Sequence, residues 1–273
     1  MSDAMRDVLR HHPLNMERIR QGKLPANVVL LRGCGSLLEL ETFRERHGLR
    51  GCMVAPTKII AGLGKSVGME VLEVAGATGD YRSDFRAKAA RMVRALTNRP
   101  DEGESDVSDT YDFGFLHIKA VDDASHDRDM PLKVACLEVV DAMVGQLVRA
   151  LRDAGADDVV LGITGDHSTP VEFGDHSHEP VPVVMSTVRD VVEVISDAVL
   201  DEVSLKALPL PEELLGMTSD DRIDAFFSWK RGFDTGRATK HDTVAALSEL
   251  DGAKGCLGRF PGHLLVPTMK LLG

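Results

Sequence analysis

YDFGFLHIKAV at 111–121, PLKVACLEVVDAMVGQLVRALRDAG at 131–155 and DDVVLGIT at 157–164 are consecutive stretches of this sequence, and they decide its fold. The first and third are apolar runs rich in aromatic and β-branched residues, which predicts buried strands. The second spaces its apolar residues at helical intervals, which predicts a long amphipathic helix. A strand, a helix and a second strand in this order are typical of a parallel α/β sheet.

The same alternation extends toward the amino terminus. RGCMVAP at 50–56 and MEVLEVAG at 69–76 predict two further strands, and ANVVLLRGCG at 26–35 predicts a strand that enters a turn. TKIIAGLGKSVGM at 57–69 and DYRSDFRAKAARMVRALTN at 80–98 predict helices between them. We therefore expect an α/β protein with a mostly parallel sheet flanked by helices.

Carboxylate and imidazole side chains are concentrated just after the predicted strands at 111–121 and 157–164. DDASH at 122–126 follows the first strand, and TGDHSTP at 164–170 and DHSH at 175–178 follow the second. Parallel sheets place ligands just beyond the carboxyl ends of their strands. Mixed oxygen and nitrogen donors suit divalent metal ions, so the sequence predicts a metal site at this edge of the sheet.

The spacing of these residues favours two ions. Asp122 and His126 are four residues apart, so one helical turn would place both on one face and let one ion bind both. Asp166 and His167 are adjacent, so their side chains diverge and can serve neighbouring ions. His176 is close enough in sequence to return to the first ion.

Composition limits the partners of the protein. The chain has 273 residues with a formal charge of -11 and a pI near 5.4, which argues against nucleic acid and anionic membrane surfaces as partners. No apolar run is long enough to span a bilayer, and MSDAMRDVLRHH at the start lacks the apolar stretch of a secretion signal. The four cysteines lack C-x-x-C spacing, which favours reduced thiols over a disulfide framework. We expect a cytoplasmic protein.

An anionic ligand needs positive charge supplied locally in so acidic a protein. Five basic residues near glycine-rich turns and the metal motifs are candidates for this role: Arg32, Lys58, Lys65, Arg82 and Lys119. For each of them a solvated surface charge is the alternative. We take Arg32 and Lys119 as the substrate-binding candidates, and Lys119 lies just before the metal loop.

The motifs HIKAVDDASHDRD, TGDHSTP and DHSHEPVPV resemble the metal-binding motifs of the archaeal-type 2,3-bisphosphoglycerate-independent phosphoglycerate mutases, members of the alkaline phosphatase superfamily. GKLPANVVLLRGCG near the start and AKGCLGRFPG near the end extend the likeness over nearly the whole chain. The resemblance implies two divalent ions, manganese or magnesium with zinc as a further option. It also implies interconversion of 3-phosphoglycerate and 2-phosphoglycerate, a step of glycolysis and gluconeogenesis.

By this resemblance the first ion binds Asp122, His126 and His176, and the second binds Asp166 and His167. Ser125 departs from the family pattern, which has glycine before the histidine. For the same five positions, the alternative is that they cap loops and helix starts, since aspartate and serine favour such places. Five matched positions in order exceed what capping explains.

The resemblance also implies an incomplete active site. Family members begin with a strand that carries an aspartate ligand, followed by a nucleophilic serine and most of a cap domain, and this sequence starts after all three. We expect 1–44 to be the end of the cap (substrate) domain and 45–273 to be an alkaline-phosphatase-like core that is incomplete at its amino terminus. Ser125, Ser168 and Thr169 are more typical of loop hydroxyls than of substitute nucleophiles.

Three hypotheses follow. The chain is the carboxyl-terminal part of a mutase that is inactive alone and needs an amino-terminal half from another chain or a longer gene. Alternatively, it is a metal-binding pseudoenzyme with a regulatory or binding role. A third hypothesis is a metal-dependent phosphohydrolase that uses activated water directly.

Overall fold

The computed structural model describes residues 2–31, 35–36, 38–97, 110–203 and 260–272. The chain divides into two compact units, Met1–Leu40 and Glu41–Gly273. The first unit contains a pair of short helices, and the second contains every strand among the described residues. The assignment of 1–44 to a cap domain and of 45–273 to a catalytic core stays a prediction.

The described residues form five β-strands and ten α-helices. The strands are β1 (Gly51–Val54), β2 (Glu70–Val71), β3 (Phe113–Leu116), β4 (Val160–Thr164) and β5 (Val183–Thr187). The helices are α1 (Ser2–Arg10), α2 (Pro13–Arg20), α3 (Phe43–His47), α4 (Lys58–Ser66), α5 (Phe85–Thr97), α6 (Ala120–His126), α7 (Met130–Asp153), α8 (Val188–Ile195), α9 (Asp197–Glu202) and α10 (Leu265–Met269), with a 3₁₀ turn at Gly262–Leu264. In this part of the chain, no helix is long and apolar enough to cross a membrane.

The strands form two separate sheets. β1 lies at the centre of a parallel sheet with the order β2-β1-β3, and β4 pairs with β5 in an antiparallel sheet. The expected α/β class, with a parallel sheet flanked by helices, is confirmed. The two strands on either side of α7, β3 and β4, are not hydrogen-bonded neighbours in the described part of the chain.

Helices cover both faces of the parallel sheet. On one face, Met92 of α5 packs with Cys52 and Val54 of β1. On the other face, Met53 of β1 packs with Phe43 of α3 and with residues of α4. This cover on both faces is what parallel sheets require.

Helix α7 packs against both sheets. The first half of α7 contributes Leu132 and Cys136 to a core that Leu116 of β3 also contacts. Its second half contributes Leu151 to a core that Leu161 of β4 contacts. Because α7 packs on both, β3 and β4 lie over the same helix, and residues at their carboxyl ends can meet.

One sequence prediction fails in the first unit. The strand expected over ANVVLLRGCG does not form in 26–31, where the backbone is irregular and the apolar side chains of Val28 and Leu30 are exposed. A β-strand needs hydrogen bonds from a neighbour, and no strand pairs with this run among the described residues. Arg32, a predicted substrate-binding residue, lies outside the described residues.

Candidate metal centre

Helix α6 positions the first two predicted ligands. It begins at Ala120, four residues after the end of β3, and Asp122 and His126 lie one turn apart on the same face. The Asp122 Oδ1 atom is 3.4 Å from His126 Nε2. The short helix thus brings both donor atoms to one point at the carboxyl edge of the sheet.

The loop after β4 brings the remaining predicted ligands. Asp166 and His167 follow the strand at once, and the loop then folds back through a bridge in which Ser177 N–H donates to Ser168 O at 3.0 Å. His176 is the residue before this bridge. Its Nε2 lies 3.1 Å from His126 Nε2 and 3.9 Å from Asp122 Oδ1.

These donors fit one divalent ion. Ions with ligand bonds of 2.0–2.1 Å in tetrahedral geometry hold their donor atoms about 3.4 Å apart. The triangle formed by Asp122, His126 and His176 has edges of 3.4, 3.9 and 3.1 Å. Two imidazole nitrogens at such close range favour a proton or a cation between them, so the donor set suits the metal that the sequence predicts.

The hydrogen bonds of two histidines place the ring proton on Nδ1, which makes Nε2 the atom that can bind an ion. His126 Nδ1–H donates to Gly174 O at 3.1 Å, because a carbonyl only accepts. Thr169 Oγ1 donates to Asp122 Oδ1 at 2.8 Å, and so it accepts from His167 Nδ1–H at 3.1 Å. Outer hydrogen bonds of this kind orient metal-binding histidines in proteins.

The ligands predicted for the second ion, Asp166 and His167, lie beside those predicted for the first. The His167 ring is 3.5 Å from the His176 ring between centroids. Asp166 Oδ2 is 3.3 Å from His167 Nε2, and the Asp166 side chain is 71% exposed. Asp122, His167 and His176 each offer a donor atom within 4.8 Å of one another. All five predicted ligands therefore lie at one site, although the structure does not divide them between two ions.

Lys119 partly neutralises the negative charge of the site. Lys119 Nζ pairs with Asp122 Oδ2 at 2.6 Å and with Asp123 Oδ1 at 2.8 Å. Burial disfavours the charged carboxylate of Asp122, but hydrogen bonds from Lys119 and Thr169 outweigh burial and lower its pKa. Burial likewise opposes the charge of Lys119, whose two carboxylate partners nevertheless raise its pKa. Lys119, predicted to bind substrate, thus lies at the site with its ammonium group held by carboxylates.

Sequence analysis missed two contributors. Asp175, the residue before His176, offers an oxygen within 4.8 Å of donor atoms of His126 and His176. Thr169, expected to be an ordinary loop hydroxyl, is 7% exposed and links two predicted ligands. The position of Asp175 next to His176 could have indicated its place at the site. The contact between Thr169 and Asp122 joins residues 47 positions apart, so no local sequence pattern indicates it.

Comparisons with known proteins agree with this chemistry. A sequence profile described as the metalloenzyme superfamily matches residues 10–204. The chain is 38% identical over 177 residues to 2,3-bisphosphoglycerate-independent phosphoglycerate mutase 1 of Methanocaldococcus jannaschii, covering 65% of this chain and 39% of that relative. It is 34% identical over 261 residues to the 2,3-bisphosphoglycerate-independent phosphoglycerate mutase of Methanopyrus kandleri, covering 95% of this chain and 47% of the relative.

A solved structure of a protein from Pyrococcus horikoshii has a TM-score of 0.67 and 29% identity, covering 99% of this chain and 55% of that one. The resemblance to archaeal-type phosphoglycerate mutases is confirmed. The chain spans less than half of the length of the two mutases it matches.

Proposed function

Because the chain belongs to the metalloenzyme superfamily, we propose that it is the metal-binding, carboxyl-terminal part of a 2,3-bisphosphoglycerate-independent phosphoglycerate mutase. In this proposal it interconverts 3-phosphoglycerate and 2-phosphoglycerate in glycolysis and gluconeogenesis, as a cytoplasmic enzyme. Residues 1–44 end the cap domain that holds the substrate, and 45–273 form the phosphatase-like core.

The observation that carries the proposal is the convergence of Asp122, His126 and His176, with donor atoms 3.1 to 3.9 Å apart. These three residues hold one divalent ion, and Asp166 and His167 hold a second. Such ions supply positive charge that stabilises the oxygens of a transferring phosphoryl group. The chain's own contribution is to fix the imidazoles and to limit the negative charge of the site through Lys119.

The described hydroxyl groups near the ligands support a nucleophile from elsewhere. Ser125 is 1% exposed, and its Oγ donates to Val121 O at 3.0 Å. Ser168 Oγ donates to Glu179 O at 3.3 Å, and Thr169 is bonded to Asp122 and His167. A phosphoryl acceptor needs an accessible oxygen beside an activating group, and each of these three oxygens already has a structural partner.

The edge of β3 supports a separate amino-terminal half as partner. His117 N–H donates to Val54 O at 3.0 Å and Phe113 N–H donates to Arg50 O at 3.2 Å, so odd-numbered residues of β3 face β1. The backbone groups of Gly114 and Leu116 therefore point away from β1.

In β4, too, alternate backbone groups point away from the strand that it pairs with. Val188 N–H donates to Val159 O at 2.9 Å, which places Val159 among the residues that face β5. By alternation, the backbone groups of Gly162 and Thr164 point away from β5. Neither edge has a strand partner among the described residues. One added strand between β3 and β4 would join the two sheets beside the metal ligands, and we propose that the amino-terminal half supplies it.

Metal binding tests the first part of the proposal. Isothermal titration with Mn²⁺ and Zn²⁺ should show binding to the purified chain. His126→Ala and His176→Ala should each weaken binding by more than the roughly 10- to 100-fold that loss of an outer partner costs. His178→Ala is the matched control, because His178 is exposed in the same loop and is not a predicted ligand. Unchanged affinity in both ligand variants would show that the assignment is wrong.

An enolase-coupled assay tests the second part. The chain alone should show no mutase turnover with 3-phosphoglycerate, because a phosphoenzyme needs a nucleophile. Turnover should appear when an amino-terminal half is supplied, and Asp166→Asn or His167→Ala should abolish it. Robust turnover by the unassisted chain would contradict the proposal and point to one of the hydroxyls described above.

A further inference from the structure

We infer that Arg128 is a positioning residue that fixes the ring of His126 for the ion, acting through the loop at Phe173 and Gly174. This inference rests on the proposed metal site. Arg128 lies in the short corner between α6 and α7, two residues after His126. It touches neither Asp122 nor His176 in any described contact, so its effect on the ion is indirect.

The backbone of Arg128 is strained. Its φ of 57° is in the left-handed region, and Ser196 is the one other non-glycine residue with positive φ in the described part of the chain. Such strain persists where the surroundings over-determine a conformation, and it clusters at functional sites. Both neighbours of Arg128 are indeed fixed. Asp127 Oδ2 accepts from Tyr81 OH at 2.8 Å, and Asp129 Oδ1 accepts from Leu132 N–H at 2.9 Å to cap α7.

This conformation brings the arginine side chain to the loop that carries His176. Arg128 Nη2 donates to Phe173 O at 3.1 Å. The rest of the side chain packs on Gly174, where an added Cβ would lie 2.5 Å from Arg128 Nε and 3.0 Å from its Cγ. Gly174 also has a φ of 68°. The close approach thus requires a glycine on one side and an extended arginine on the other.

The contact determines the state of His126. Gly174 O, the carbonyl next to Phe173 O, accepts from His126 Nδ1–H at 3.1 Å. This bond selects the tautomer that leaves the Nε2 lone pair free, and it directs Nε2 toward Asp122 and His176. Without the hydrogen bond from Arg128, the loop at Phe173 and Gly174 can shift. The Gly174 carbonyl then moves, and the ring of His126 is no longer fixed.

Arg128→Gly tests the inference. Glycine adopts positive φ without strain, so the variant keeps the corner and removes only the side chain. Ser196→Gly is the matched control, since it relieves the same kind of backbone strain in the turn between α8 and α9. Titration of Mn²⁺ in phosphate-free buffer should show affinity about tenfold weaker in Arg128→Gly and unchanged in Ser196→Gly. Equal affinity in Arg128→Gly and the unaltered chain would overturn the inference.

A second measurement separates this inference from the proposed function. Nitrogen-15 NMR of the metal-free protein reports the tautomer of each histidine ring. The unaltered chain should show His126 as the Nδ1–H tautomer, and Arg128→Gly should show a mixture. If the unaltered chain binds no metal, the proposed function is wrong, while the tautomer still decides whether Arg128 fixes the ring. A pure Nδ1–H tautomer in Arg128→Gly would overturn the inference.

Discussion

Thr169→Val removes the one hydroxyl that links two predicted metal ligands. Thr169 Oγ1 donates to Asp122 Oδ1 at 2.8 Å and accepts from His167 Nδ1–H at 3.1 Å. Valine has nearly the same shape, so the buried site stays filled while both hydrogen bonds are lost. Asp122 then keeps its contact with Lys119 but loses the bond that orients Oδ1, and His167 loses the bond that orients its ring.

The magnitude follows from the type of bond. A hydrogen bond to a charged group contributes about 1.5–3 kcal/mol, and each factor of ten in affinity corresponds to about 1.4 kcal/mol. Loss of the bond to the Asp122 carboxylate should therefore weaken metal binding by roughly 10- to 100-fold, the range found for outer partners of metal ligands. Loss of the His167 bond adds to the effect, because both tautomers of that ring become accessible.

The assay is isothermal titration of the metal-free chain with Mn²⁺, beside a thermal melt of each variant. Thr169→Ser keeps the hydroxyl and should bind nearly as tightly as the unaltered chain. Thr97→Val is the matched control, because Thr97 Oγ1 donates to Val93 O within α5, away from the described ligands. If Thr169→Val binds Mn²⁺ as tightly as Thr169→Ser, the hydroxyl does not orient the ligands.

Two other predictions concern stability and association. Lys88 is 1% exposed, and burial lowers its pKa from 10.5 to about 8. The unfolded chain therefore holds the proton over that interval while the folded chain does not, so Lys88 should add up to about 3 kcal/mol to the free energy of unfolding as the pH rises from 8 to 10.5. Urea titrations should show the free energy of unfolding of the unaltered chain gaining this amount relative to Lys88→Met, because the buried thiols of Cys52 and Cys136, whose pKa burial raises to about 12, titrate alike in both. Equal pH slopes in both would refute the prediction. Phe115 of β3 and Ile163 of β4 are 41% and 44% exposed, so the isolated chain should self-associate through these strands at micromolar concentration, with Phe115→Ser and Ile163→Ser reducing it. A monomer in sedimentation velocity would count against this prediction.

Local sequence signals predict the elements around the site well. The helix predicted over 131–155 is α7, Met130–Asp153, because its apolar residues keep helical spacing throughout. The predicted ligands follow β3 and β4 directly, and the strand ends alone were enough to place them together. The helix prediction succeeds because it depends on residues within one or two turns of each other.

The remaining features depend on contacts between distant residues. The predicted strand at 26–35 has strong propensity, but a strand also needs a neighbour, and composition does not reveal whether one exists. The positive φ of Arg128 is equally hidden, since arginine rarely adopts this conformation and only the fixed neighbours on both sides hold it there. The bond between Thr169 and Asp122 joins two loops with no shared sequence pattern.

The separation of the two sheets gives the metal a structural consequence as well as a chemical one. Asp122 and His126 follow β3, while His167 and His176 follow β4, and no backbone ladder joins these strands in the described residues. An ion bound by ligands from both groups would connect the two sheets at their carboxyl edges, while α7 connects them on one face. Metal binding and the docking of a strand between β3 and β4 then favour the same arrangement of the two sheets. By linkage, each should strengthen the other. Under the proposed function, the ligand-bearing loops and the two strand edges would therefore act as one unit.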